Sequence, residues 1–267
     1  MYNSPIPADI HHEIMKRLAM TEKEENVRIL YAVESGSRAW GFASANSDYD
    51  VRFIYTHDAE WYQSVDLEER RDVIEYEIVD EIDLNGWDVR KALRLFWRSN
   101  PGMIEWLQSP IVYKNVGVFA EKTTTLIPSV YSITSGIYHY RSMAKSTARV
   151  IFNAEKISLK KYFYALRPLL CVRWLETYNT AAPIEFEKLL HLLNGNDALL
   201  ADIHLLLEKK RNMPELGKSE PVESISDYIA EELARLENVQ PENHSRSASI
   251  DELNRLFREV VYEEVKK

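Results

Sequence analysis

The stretch from Gly36 to Asp50, GSRAWGFASANSDYD, decides how the rest of the chain is read. It follows an apolar run, Val27 to Glu34 (VRILYAVE), and leads into another β-prone run that begins Val51, Arg52, Phe53, Ile54, Tyr55. Asp48 and Asp50 stand two apart. In a strand, residues i and i+2 point to the same face, so both carboxylates are expected to project together. Like charges side by side on one face repel and call for a compensating cation. Oxygen-only ligands favour Mg²⁺ or Mn²⁺. Gly36 permits a positive φ or a close backbone approach. Ser37 offers a hydroxyl and a backbone N–H of the kind that lines an anion-binding turn. Arg38 adds a permanent charge suited to phosphate. A phosphate cradle beside a metal site is the apparatus of phosphoryl or nucleotidyl transfer. Asn46, Ser47 and Asp48 are also common turn residues, so a polar cap on the next strand is the alternative, and the company the two aspartates keep favours the catalytic reading over it.

Gly36-Ser37, the gap that follows and Asp48-Tyr49-Asp50 resemble the signature of the DNA polymerase β-like nucleotidyltransferase superfamily. More narrowly, GSRAWGFASANSDYDVRFIY with DLNGWDVRKALRLF, NPGMIEWLQSPIVY and KKYFYALRPLLCVRWL resembles the bacterial and phage predicted nucleotidyltransferase family linked with RNA repair. The resemblance implies an α+β fold, a mixed sheet with flanking helices, followed by an all-helical C-terminal part. It implies a catalytic domain over residues 1–120 and a helical domain over 121–267 that completes the cleft. It also implies a third metal-binding carboxylate from a neighbouring strand. Glu75, Glu77, Asp80, Glu81, Asp83 and Asp88 all lie in the next acidic stretch. Asp83, set between Ile82 and Leu84, has the flanking pattern of a strand carboxylate and is the expected ligand. Asp88 precedes the periodic run Val89, Leu93, Phe96 and reads better as a helix N-cap. By the same resemblance, Lys160, Lys161 and Arg167 are candidate triphosphate contacts. The implied partners are a nucleoside triphosphate and an RNA acceptor. A protein or small-molecule acceptor, or an inactive nucleotide-binding or antitoxin-like module, remains open.

The composition agrees with a soluble globular protein: 267 residues, 45% hydrophobic and 28% charged. No run reaches the ~18 apolar residues of a membrane span. The N-terminus has no basic segment followed by an apolar core, so a cytoplasmic location is expected. The single cysteine, Cys171, sits among apolar neighbours and is expected in the core. The net charge of −9 is unevenly spread. Residues 1–120 carry 13 Lys/Arg against 21 Asp/Glu, whereas residues 121–175 carry 9 against 2, a net of +7. A basic segment in an acidic chain suits a polyphosphate or a nucleic-acid end.

Strands are expected over 27–34, 49–57 and 73–79, with a further short one at 111–113. Helices are expected over 8–21 and 89–98. After residue 117 the apolar period is helical, over 117–126, 128–152, 158–178, 184–193, 197–211, 222–237 and 248–264. Pro168 is expected to kink its helix. Trp40 and Phe42 read as core or pocket wall. The polar segment 238–247 reads as a loop.

Overall fold

The computed structural model describes residues 6–212, 218–239, 241 and 246–263. Two compact units divide the chain. One comprises the described residues of Asn3–Ala39, Asp48–Tyr131 and Arg246–Lys267; the other, Trp40–Ser47 and those of Ser132–Ser245. The boundary expected at residue 120 falls inside the first unit, and the units interleave along the chain.

In the first unit, α1 (Ala8–Glu24) precedes β1 (Arg28–Glu34), a single helical turn α2 (Gly36–Ala39) and β2 (Tyr49–Thr56). A polar excursion then leads to β3 (Val73–Glu75) and β4 (Ile82–Asp88). α3 (Val89–Trp97), α4 (Pro101–Leu107), β5 (Val112–Asn115) and α5 (Phe119–Val130) follow. The sheet order is β3-β4-β2-β1-β5, with β2 and β4 parallel and the other pairs antiparallel. Along β4 and over the first half of β2 alternate residues are buried, and β2 is buried throughout from Phe53 to Thr56. Val51, Phe53, Ile82 and Leu84 join Ile14 and Leu18 of α1 in the core, while Asp50, Arg52 and Asp83 take the other face.

The expected strand over 73–79 is shorter than its apolar run suggests. Asp80 and Glu81 take positive φ, 52° and 62°, turning the chain straight into β4. Val79 still bridges to Ile82 across that turn, so the run is interrupted over 76–78, before the turn is reached. Asp88 caps α3 as expected, accepting from the Arg90 N–H at 2.7 Å. Pro101 begins α4 at its first turn, where its missing N–H costs nothing, and Asn100 caps that helix.

The second unit holds α6 (Ile133–Phe152), β6 (Ile157–Ser158), α7 (Leu159–Tyr178), α8 (Phe186–Leu189), α9 (Asp197–Asn212), β7 (Lys218–Ser219) and α10 (Glu223–Glu237). Its core is built on α6 and α7, including Tyr140, Tyr162, Phe163 and the fully buried Cys171. Pro168 lies within α7. The helix break expected near Pro128 falls later. Pro128 sits inside α5, and the new helix starts where the Ser132 hydroxyl accepts from the Ser135 N–H. Phe42 belongs to this unit, stacked on Phe163 with centroids 5.0 Å apart and edge-on to Phe186. The chain then returns to the first unit as α11 (Ile250–Tyr262), which opens with a complete Ser249/Glu252 capping box. The expected loop over 238–247 lies partly outside the described residues. No helix among the described residues is long and apolar enough to cross a membrane.

Gly86 is required by packing. A Cβ there would lie 2.1–2.5 Å from three carbons of the Phe53 ring, inside the core. Gly86→Ala should therefore destabilise the protein by about 1–3 kcal/mol, because overpacking outweighs the roughly 0.4–1 kcal/mol gained by stiffening the unfolded chain. Urea unfolding of the two proteins measures it, and an equal or higher midpoint for the variant contradicts this packing.

Candidate active site

The site grows out of strand register. β2 and β4 run parallel with Asp50 opposite Asp83. Both side chains are roughly a quarter exposed, at 28% and 27%. They converge on one atom. Nη2 of Arg52 lies 3.1 Å from Asp50 Oδ1 and 2.6 Å from Asp83 Oδ2. Nη1 of the same guanidinium donates to the carbonyls of Asp83, at 2.9 Å, and Val51, at 3.1 Å. Two carboxylates in adjacent strands would repel, and Arg52 balances them.

Gly36 sits directly behind Asp50. Its φ is +58°, and a Cβ on it would fall 2.0 Å from Asp50 Oδ2. Glycine alone suits both the backbone and the approach. The strand–turn junction is closed by the Ser35 N–H donating to the Asp50 carbonyl at 2.8 Å. Ser37 lies in the single turn of α2 and is buried, at 4% exposure.

Arg38 was expected to face phosphate. It is buried instead, with its guanidinium carbon 3.9 Å above the Tyr49 ring and its Nε donating to the Asp48 carbonyl at 3.3 Å. The same Nε is 4.0 Å from Glu34 Oε1. These contacts make Arg38 a brace between the end of β1 and the start of β2.

Glu34 lies behind the acid pair and is fully buried. One of its oxygens accepts from the Asp50 N–H at 3.0 Å, and the other from the Tyr113 hydroxyl at 2.6 Å. Burial pushes the Glu34 carboxyl up to about 7, against the pull of those two donors. Burial and the adjacent Glu34 push the Tyr113 hydroxyl up as well.

Asp48 is half-buried and precedes the first residue of β2. Among the described residues, no group of three His, Cys, Asp or Glu side chains is arranged to hold a metal ion. The expected three-carboxylate cluster is thus present as a converging pair, with Asp48 adjacent in sequence and Arg52 between the pair. The donors fit a hard divalent cation: they are oxygens only, and the pair already meets around a positive charge.

The other expected phosphate contacts are on α7 in the second unit. Lys161 is exposed, and Lys160 Nζ lies 5.5 Å from the Tyr164 ring centre. Arg167 is buried, at 2% exposure, stacked 4.5 Å from the Trp40 ring and donating to the Ile184 carbonyl at 3.3 Å. Those contacts hold it inside the helical core, so the structure places it as a packing residue.

Sequence reasoning passed over Arg52 and Glu34. The signal for Arg52 was available, since it stands two residues after Asp50 on the same strand face. Glu34, at the end of an apolar strand, carried no such mark, because a buried carboxylate is recognisable only once its partners are in place.

A family model described as "RNA repair pathway DNA polymerase beta family" (RlaP) matches residues 10–259. A Bacillus subtilis (strain 168) protein, "Uncharacterized protein YcgL", is 42% identical over 251 residues, covering 94% of this chain and 96% of that one. A nucleotidyltransferase-like protein from Exiguobacterium sibiricum 255-15, known from its crystal structure, overlaps 83% of this chain and 75% of its own, at 13% identity and a TM-score of 0.32.

The raised Glu34 pKa gives a signed pH dependence. Its protonated form is favoured by folding, so its contribution is full below about 4.5 and is lost as pH rises through about 7. Glu34→Gln, neutral throughout, should flatten the fall in Tm across that window. A variant whose Tm follows the wild-type pH curve contradicts the assignment.

Proposed function

The chain belongs to the RNA repair pathway DNA polymerase beta family, and from that premise we propose that it is a metal-dependent nucleotidyltransferase. It moves a nucleoside monophosphate from a nucleoside triphosphate to a hydroxyl acceptor at an RNA end. The observation that carries this reading is the pairing of Asp50 with Asp83 across a parallel ladder, both turned to one cation beside the Gly36-Ser37 turn.

In this mechanism Asp48, Asp50 and Asp83 would hold Mg²⁺ or Mn²⁺, which when bound would neutralise phosphate oxygens and acidify the acceptor hydroxyl. Gly36 lets the turn approach the triphosphate, and the Ser37 N–H and hydroxyl bind its oxygens. Asp83 accepts the proton of the acceptor hydroxyl. The freed oxygen forms its bond to the α-phosphorus in line as the bond to pyrophosphate breaks. Glu34 and Arg38 fix the backbone that carries Asp50. Most of the acceleration comes from positioning and charge neutralisation. An RNA partner fits the +7 segment 121–175.

The seating of Arg52 between the two acids favours one competitor, a nucleotide-binding module that does not turn over. Incubation with each labelled nucleoside triphosphate, Mg²⁺ and total cellular RNA, then total protein, separates the readings. Label should enter the RNA fraction, and Asp50→Asn or Asp83→Asn should each lower the rate by about a hundredfold or more, as when a metal ligand or a transition-state charge partner is lost. Nucleotide binding without transfer by the wild type makes the protein a binding module, and label in protein alone replaces the acceptor.

A further inference from the structure

α3 and α11, both in the first unit, line an open cavity of about 380 Å³. That volume is at the small end of ligand pockets, roughly 300–1,000 Å³. Its apolar surface comes from Leu93 and Trp97 on one helix and Leu253 and Phe257 on the other. Its charged edge is Arg90, Arg94 and Arg98, at i, i+4 and i+8 on one face of α3 and the residue that caps it. Asn254 contributes an amide that can both donate and accept. In a chain of net charge −9, none of the described residues lining this cavity is acidic.

Like charges at i and i+4 on a helix repel, so three successive arginines carry a cost. Glu68 offsets it at one end, 2.6 Å from Arg90 Nη2, and acts at longer range on Arg94. Arg94 and Arg98 are exposed, and neither has a hydrogen-bonded or ion-paired carboxylate among the described residues. The negative end of the α3 dipole accounts for a cation at Arg98. It does not account for an apolar recess beside the row. Trp97 is held in place by the Arg246 guanidinium, 4.7 Å from its ring centre.

We infer that this cavity binds a nucleoside phosphate, free or as the terminal unit of a single strand. Guanidinium groups pair with phosphate through two parallel N–H bonds. A base is accommodated against aromatic and aliphatic walls, as in single-strand recognition. The site is distinct from the acid pair, since neither Asp50 nor Asp83 lines the cavity. The inference thus goes beyond the proposed transfer reaction and does not require it.

The test uses the full chain in EDTA, which leaves the divalent-ion chemistry out of the measurement. AMP and a short single-stranded oligoribonucleotide are titrated in separate calorimetric experiments. Binding of either probe should be lost about tenfold or more in the Arg94→Glu/Arg98→Glu double variant, given the strength of charge-assisted hydrogen bonds. Asp50→Asn should leave it unchanged. Binding of AMP identifies a mononucleotide pocket, and binding of the oligonucleotide alone identifies a strand terminus. Arg94→Lys/Arg98→Lys retains the charge but loses the paired N–H bonds, so it should bind more weakly than the wild type and more tightly than the reversed variant, which guards against misfolding of the latter. Absence of binding by both probes, or affinity indifferent to the charge reversal, overturns the inference. A failed transfer assay leaves it standing.

Discussion

Two carboxylates held opposite each other in a parallel ladder are the constraint around which the first unit is arranged. Strand register fixes Asp50 against Asp83, so neither can withdraw without breaking main-chain pairing. Their repulsion has to be met by positive charge at the same place, and Arg52 meets it from the same strand face. The arginine also grips the Asp83 and Val51 carbonyls, which keeps its stem anchored whichever cation faces the acids. A site that brings its own counter-charge is stable without a ligand and still presents two anionic groups to one.

The surrounding residues serve that pair. Gly36 makes space for the Asp50 carboxylate, Glu34 holds the Asp50 N–H from within the core, and Arg38 ties the two strand ends together. Tyr113 on β5 completes the support from the opposite side of β1. The rigid backbone is therefore shared by elements far apart in sequence, and the chemistry is placed on strands where position is best controlled.

Much of this was readable in advance, for identifiable reasons. The alternation of β2 gave the face of Asp50, and the apolar–acid–apolar unit around Asp83 marked a strand carboxylate. The same alternation also pointed to Arg52. Asp88 announced a helix start through capping chemistry, which is local. What depended on distant partners was hidden. The buried state of Glu34, the capture of Arg38 by Tyr49 and of Arg167 by Trp40, and the membership of Trp40–Ser47 in the helical unit all arise from tertiary contacts. The interruption of the 73–79 run after Glu75 is something an apolar count does not register. Arg90, Arg94 and Arg98 were passed over because the basic segment at 121–175 dominates the charge profile, while α3 gains its meaning only when α11 packs beside it.

A single kind of site thus emerges: paired acids beside a glycine-serine turn, balanced from within. Its most direct test is the crystal structure of the protein soaked with Mn²⁺, read by anomalous scattering. The account predicts a peak bonded to Asp50 and Asp83, with Arg52 Nη2 drawn away from both. An Arg52 still seated between the two carboxylates at saturating Mn²⁺, with no peak beside them, would contradict it.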